Sequence, residues 1–332
     1  MNGFIIVFKV IRFAGDYFSF FLHKNLFELI LKQNFAAYAA WIAICIIWGT
    51  TYLAIKIGVA ELPPMLFAGF RWVAAGIILL ILMNLRGYSL PSKKDLKHIA
   101  IVGIALIGIA NGLVVVAEQW IPSGLAALLI STLPFWMVGF EAFLPQGPRI
   151  NLLIIGGLLI GIIGVLVLFA KDLEIFIDVE VLIGAVCLLG AVISWSLGSI
   201  YSKYVKISAH PMMGASIQML IAGALQILAG GILNEFAEFN LTFNGFLAIS
   251  YLAVFGSILG FASYIYAISK LPLSLVSTYA YVNPVIALIL GWLILDERLS
   301  IFVVISAVLI LVGVTLVKRG NTTAANKIKP IT

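Results

Sequence analysis

Apolar residues along this chain come in runs of about 20, the length that carries an α-helix across the hydrocarbon of a bilayer. Polar residues gather in the short gaps between them. The pattern predicts ten spans, over 36–57, 64–85, 98–117, 123–144, 151–170, 181–202, 211–233, 245–267, 273–295 and 300–318. Helices are predicted because backbone amides in lipid find no water, and the alternation of a barrel strand is absent. The third and fourth runs are joined only by Glu118 to Pro122, the eighth and ninth only by Ile268 to Pro272. Joints this short force antiparallel neighbours.

The pattern also repeats. Trp48, Lys56 and Pro64 recur as Trp195, Lys203 and Pro211, each 147 positions on, and Gly76 recurs as Gly223. Pro122 and Pro134 recur as Pro272 and Pro284 at an offset of 150, and Gly164 as Gly313 at 149. Self-similarity on this scale marks one structural unit written twice. A unit of five spans, an odd number, places its second copy upside down, the inverted-repeat plan of secondary transporters. The expected fold is therefore an all-α membrane protein of ten transmembrane helices in two inverted five-helix repeats, over 35–170 and 181–318. An extension, 1–34, precedes them and a cytoplasmic tail, 319–332, follows. Gly108 and Gly112 in the third span, Gly256 and Gly260 in the eighth, and Gly157 and Gly161 in the fifth have the GxxxG spacing of close helix packing in lipid.

Composition sharpens the class. Hydrophobic residues make up 63% of the 332 and charged residues 10%, against roughly 25% charged in soluble domains. A net charge of +6 does not point to nucleic acid, because the bases form no groove-lining patch and collect in alternate gaps. With the N-terminus inside, the outer gaps hold only Lys171 and Arg298, while Glu61, Glu118, Asp172, Glu235, Glu238 and Asp296 lie among the outer acids. The positive-inside rule then places both termini in the cytoplasm of a multi-pass protein of the inner membrane. Within 1–34, the apolar stretch from Phe4 to Phe21 is broken by Lys9, Arg12 and Asp16, which suits an interfacial helix. Cys45 and Cys187 fall inside apolar runs and read as small buried hydrophobes, with a disulfide or metal site as the alternative.

The chain resembles the ten-helix EamA-like transporters of the drug/metabolite transporter superfamily. The resemblance is carried by Trp48-Gly49-Thr50-Thr51 with Lys56, by Pro63-Pro64 followed by Phe70-Arg71-Trp72, by Pro122 and Leu133-Pro134, and by Asn283-Pro284, Leu295-Asp296-Glu297-Arg298 and Gly313-Val314. It covers about 37–318. In the first half Gln146-Gly147-Pro148-Arg149 stands where the second has Asp296-Glu297-Arg298. The resemblance implies carriage of amino acids, nucleobases, sugars or other metabolites, mostly outward.

No catalytic set is visible. GxxxxGK[ST] and HExxH are both absent, so neither a nucleotide, a metal nor another cofactor is expected. His23, His98 and His210 stand at span edges. Ionisable groups inside spans are costly and mark candidates. Lys56 and Lys203 either snorkel or share a structural role in both halves. Arg71 pairs with Glu61 or meets an anionic group of the substrate. Glu141 snorkels or pairs with Arg149. Uncharged polar residues mark the pathway better: Trp48, Thr51 and Tyr52 share one face of the first span, Trp195, Ser199 and Ser202 one face of the sixth. Asn111, Ser131, Thr132, Ser257, Tyr264, Ser277, Thr278, Tyr281 and Asn283 join them, with Pro134 and Pro284 as midplane helix breaks. These residues predict a central cavity for a small-molecule substrate, filled by alternating access. The competing class, a polytopic enzyme acting on a lipid-linked substrate, would have to use the acidic loop from Asp172 to Glu180. Oligomeric state is not legible, since every GxxxG can be used within one chain.

Overall fold

Proline starts two of the long helices. Pro64 opens α2 (Pro64–Leu85) and Pro211 opens α8 (Pro211–Ile232), where the missing N–H costs nothing because first-turn amides have no intrahelical acceptor. The amides that remain are capped from afar. Met65 N and Leu66 N donate to the Glu235 carboxylate at 3.2 and 2.9 Å, a negative charge at the positive end of the helix dipole. The computed structural model describes residues 35–121, 123–145, 147, 150–168, 179–286 and 301–326. The remaining helices are α1 (Phe35–Glu61), α3 (Lys93–Ala117), α4 (Ser123–Ile130), α5 (Leu133–Ala142), α6 (Leu152–Leu168), α7 (Val179–Tyr204), α9 (Phe243–Lys270), α10 (Leu273–Val276), α11 (279–286) and α12 (Ile301–Asn326). Among the described residues there is no strand. Seven helices are long and apolar enough to cross a membrane, and Ala126–Ala142 and Leu152–Val167 are shorter apolar helices. The extension 1–34, most of the acidic loop, Pro122, Arg149 and the Asp296-Glu297-Arg298 motif lie outside the described residues.

Outward faces carry exposed Ile81, Leu159, Leu182, Leu228 and Val308, while Arg71, Gln218, Gln226 and Ser257 are buried. Apolar outside and polar inside is the distribution that lipid demands.

Helices that correspond in the repeated pattern pack on each other: α2 against α8, and α6 against α12. Glycine sets both contacts. A Cβ at Gly157 would lie 2.6 Å from the Gly313 carbonyl oxygen, and one at Gly223 would lie 2.8 Å from Val73 N. Backbone-to-backbone approach of this kind holds helices together where lipid removes the hydrophobic gain.

The paired glycines Gly108 and Gly112 of the third run, and Gly256 and Gly260 of the eighth, do something else. Ile104–Asn111 in α3 and Leu252–Phe261 in α9 are π-helical. Nothing comes within 3.9 Å of a Cβ at Gly108, and at Gly260 the nearest atom is Trp48 Nε1 at 2.5 Å. These glycines make room for wide turns and side chains, not for neighbouring backbones. A π turn shifts the hydrogen-bond ladder and presents carbonyls sideways. Ser194 Oγ donates to Ala105 O, Gln226 Nε2 to Ile107 O and Trp48 Nε1 to Gly256 O, at 2.8, 2.8 and 3.0 Å.

The helix breaks also differ from expectation. They fall at Ser131–Thr132 and Ser277–Thr278. Pro134 sits in the first turn of α5, and Pro284 lies inside α11. Each of the four hydroxyls bonds back to the carbonyl three residues before it, which competes with the helix ladder.

Candidate functional site

The indole rings of Trp48 on α1 and Trp195 on α7 meet edge to face, centroids 5.4 Å apart at 82°. Trp195 Nε1 donates to the Tyr264 hydroxyl at 2.9 Å, and Ser199 Oγ shares that hydroxyl. Tyr279 closes on Trp48 from α11 at 4.9 Å. Trp48, Trp195 and Tyr279 form one wall of a cavity with about 640 Å³ of empty space, its open mouth included. Thr51, Tyr52, Arg71, Trp72 and Asn111 supply most of its polar and aromatic lining, and Ile55, Val114, Leu133 and Val192 add apolar surface. Such a mostly apolar cleft with a few convergent polar groups is the usual form of a small-molecule site.

Arg71 is its charged group. The side chain is 3% exposed and lines the cavity. Its Nε donates to Ser257 Oγ at 3.0 Å, and the guanidinium carbon lies 4.4 Å over the Trp72 ring. Nη1 is buried with no hydrogen-bond partner among the described residues. The pairing of Arg71 with Glu61 is not made: Glu61 accepts from Asn244 instead, at 3.4 Å. Trp72 is fixed in turn by donating from Nε1 to Asn111 Oδ1 at 2.7 Å.

Of the expected pathway residues, the cavity gathers Trp48, Thr51, Tyr52, Asn111 and Trp195. Ser199 and Tyr264 stand behind it and hold Trp195. Ser131, Thr132 and Thr278 spend their hydroxyls on their own backbone. Tyr281 points away, its ring against Gly161 and its hydroxyl on Leu158 O at 3.2 Å. Asn283 sits between the carbonyls of Cys45 and Tyr279, its amide nitrogen 2.9 and 3.0 Å from them. Cys45 and Cys187 are free thiols.

Of the two roles expected for Lys56 and Lys203, the contacts match the shared structural one: neither lysine snorkels to a headgroup, and each turns inward and donates to backbone carbonyls at the end of a neighbouring helix. Glu141 is buried and accepts from the Tyr204 hydroxyl at 2.9 Å, so it does not snorkel, and Arg149, its expected partner, lies outside the described residues. Glu118, counted as an outer loop acid, is 0% exposed. The joint that holds it folds inward, with Ile121 packed on Gly184 of α7. Trp72 and Tyr279 were missed as wall residues. Trp72 was signalled by its place beside Arg71; Tyr279 had no signal, because the break at 277–278 resets which face of α11 looks inward.

The sequence pattern of the EamA-like transporter family matches residues 35–170 and 182–319. The chain belongs to the EamA-like transporter family. Members are membrane transporters, and this chain is one by that match and by its apolar helices. It is 37% identical over 291 residues to the "uncharacterized inner membrane transporter YedA" of Escherichia coli (strain K12), covering 87% of this chain and 93% of that one. It is 27% identical over 282 residues to the "uncharacterized transporter YoaV" of Bacillus subtilis (strain 168), covering 82% and 93%. A "probable amino-acid metabolite efflux pump" of Escherichia coli (strain K12) is 25% identical over 281 residues, covering 81% and 90%. A solved crystal structure shares the fold at a TM-score of 0.72 and 22% identity, covering 85% of this chain and 97% of the other.

Proposed function

We propose that this EamA-like transporter is a secondary exporter or exchanger of a small amino-acid-like metabolite in the inner membrane. The observation that carries the reading is the free Nη1 of Arg71 in a cavity walled by Trp48, Trp72 and Trp195. A guanidinium nitrogen without a partner suits one oxygen of a carboxylate. The indoles suit the apolar part of the solute, and Thr51, Tyr52 and Asn111 set its orientation. The name of the efflux relative, which mentions amino-acid metabolites, agrees with this chemistry.

The mechanism proposed is alternating access by ten spans arranged as two inverted repeats, 35–170 and 181–318, with 1–34 an interfacial extension and both termini, including the tail 319–332, in the cytoplasm. Support comes from the pairing of α2 with α8 and α6 with α12, the contact expected of units related by a two-fold axis in the membrane plane. The two π segments at corresponding places agree with it. No phosphate-binding loop is present in the sequence, so flux is expected without nucleotide.

Counterflow into ATP-free proteoliposomes, with a panel of L-amino acids and neutral sugars, tests the proposal. Amino acids are expected to exchange and sugars to fail. Arg71→Gln is expected to lose at least tenfold in apparent affinity, with Arg71→Lys retaining part of it. Strict dependence on ATP, or equal exchange by Arg71→Gln, would defeat the reading.

A further inference from the structure

We propose that Glu118 is a proton-binding site whose proton is held in balance with the charge of Arg71. Glu118 lies one residue past the end of α3, in the joint to α4. It is wholly buried, and neither carboxylate oxygen has a hydrogen-bond partner among the described residues. A structural carboxylate in such a place would be surrounded by donors, as Glu235 is by the amides of Met65 and Leu66. Glu118 has instead two cations acting on it from a distance, Lys56 on α1 and Arg71 on α2. The Lys56 ammonium is occupied by the backbone, including the carbonyl oxygen of Glu118 itself at 2.6 Å.

The other groups near the joint do not neutralise it. Tyr52 on α1 lies near enough to feel the Glu118 charge and offers it no cation. From α7, which packs on the joint through Gly184, the ionisable side chain at that end is Glu180, and it is exposed. The acid is therefore set by two opposed effects, of which burial is the larger. Burial without donors pushes the Glu118 carboxyl well above the usual carboxylate range, and Lys56 and Arg71 pull it back. Cancelling one cation shifts the balance toward the protonated form.

An anion seated on Nη1 of Arg71 is such a cancellation. Binding of an anion in the cavity and binding of a proton at Glu118 then favour each other, and by linkage the effect is reciprocal. One proton passes from water to the carboxylate as the anion arrives and returns to water as it leaves. The site occurs once per chain, because the corresponding position in the second half, 150 residues on, is Ile268. What the proton drives rests on the transport reading above; the proton site itself does not.

Infrared difference spectra of the purified full chain in liposomes, recorded without any solute between about pH 5 and pH 9, test it. A carboxylic C=O band is expected to disappear as pH rises, and to be absent in Glu118→Gln. Arg71→Gln is expected to keep the band to higher pH by about one unit or more, a tenfold tighter proton, and Arg71→Lys to restore the wild-type midpoint. The proposal is overturned if Glu118→Gln shows the wild-type band, if the Glu118 band does not titrate, or if Arg71→Gln leaves its midpoint in place. Should amino-acid counterflow fail while the band titrates, the cargo reading falls and the proton site stands. The reverse result removes the proton site alone.

Discussion

Lys56 and Lys203 close the same joint in the two halves of the chain. Lys56 Nζ donates to the carbonyl oxygens of Glu118 and Ile121, at 2.6 and 3.3 Å. Lys203 Nζ donates to those of Ile268 and Leu271, at 3.0 and 2.5 Å. The lysines are 147 residues apart and their acceptors 150. In each case an ammonium meets the carbonyls that end a helix, which no following turn satisfies and where the helix dipole is negative. Recurrence of a lysine inside an apolar run thus has a structural cause: in each half of the sequence it meets the carbonyls at the end of a long helix.

Lys56→Met and Lys203→Met are accordingly expected to lower thermal stability in detergent, each by about 1–3 kcal/mol, because buried carbonyls lose their donors. Arginine at either position is expected to recover part of that loss. Melting curves followed by size-exclusion chromatography would show it, and unchanged melting in both methionine variants would refute the capping role.

The glycine contacts give a second expectation. Gly157→Ala puts a methyl group 2.6 Å from the Gly313 carbonyl, whereas the adjacent Gly156 has nothing within 4 Å of an added Cβ. Gly157→Ala should therefore destabilise the α6–α12 pair by about 1–3 kcal/mol. Gly156→Ala should be neutral or slightly stabilising, since alanine favours a helix over glycine. Equal melting of the two variants would contradict the packing described.

Much of this architecture was legible because lipid imposes it. Run lengths gave the seven long apolar helices, and the offset of Trp48 from Trp195 pointed to the faces that meet in the cavity. What escaped were features without a compositional mark. The π turns of α3 and α9 occupy the same Gly-rich strings that signal tight packing, and only a three-dimensional ladder separates the two uses. Glu118 looked like a loop acid because a five-residue joint between apolar runs reads as solvent. Whether such a joint folds inward depends on Ile121 finding Gly184, a contact between distant segments. The lysines were visible, but their acceptors were backbone atoms, which no residue type announces.

The distribution of bases predicts sidedness. Lys93 at the start of α3 and Glu238 after α8 are both exposed and belong to gaps expected on opposite faces, Lys93 inside and Glu238 outside. Single cysteines at these positions, on a background without Cys45 and Cys187, should differ toward an impermeant thiol reagent in intact cells. Glu238→Cys should react and Lys93→Cys should react only after lysis. Labelling of both from outside would invert or break the span order.

The central rings carry the most specific expectation. Trp48 and Trp195 contact each other, yet each is held by a different partner: Trp48 Nε1 by the carbonyl of Gly256 in the π turn of α9, Trp195 Nε1 by the hydroxyl of Tyr264 about two turns further along the same helix. A solute lying against both rings would touch both halves of the chain through one helix. Trp48→Ala and Trp195→Ala should each weaken the half-saturation of counterflow by roughly tenfold to a hundredfold, from loss of about 1–3 kcal/mol of apolar contact. Tyr264→Phe should lower affinity less, because it removes the hydrogen bond that orients Trp195 and keeps both rings. Tyr281→Phe serves as the contrast: its hydroxyl bonds Leu158 O away from the cavity, so it should cost about 1 kcal/mol of stability and leave half-saturation unchanged. Wild-type affinity in both alanine variants would remove the rings from the binding site. A loss confined to one of them would keep the site and place the solute against a single half.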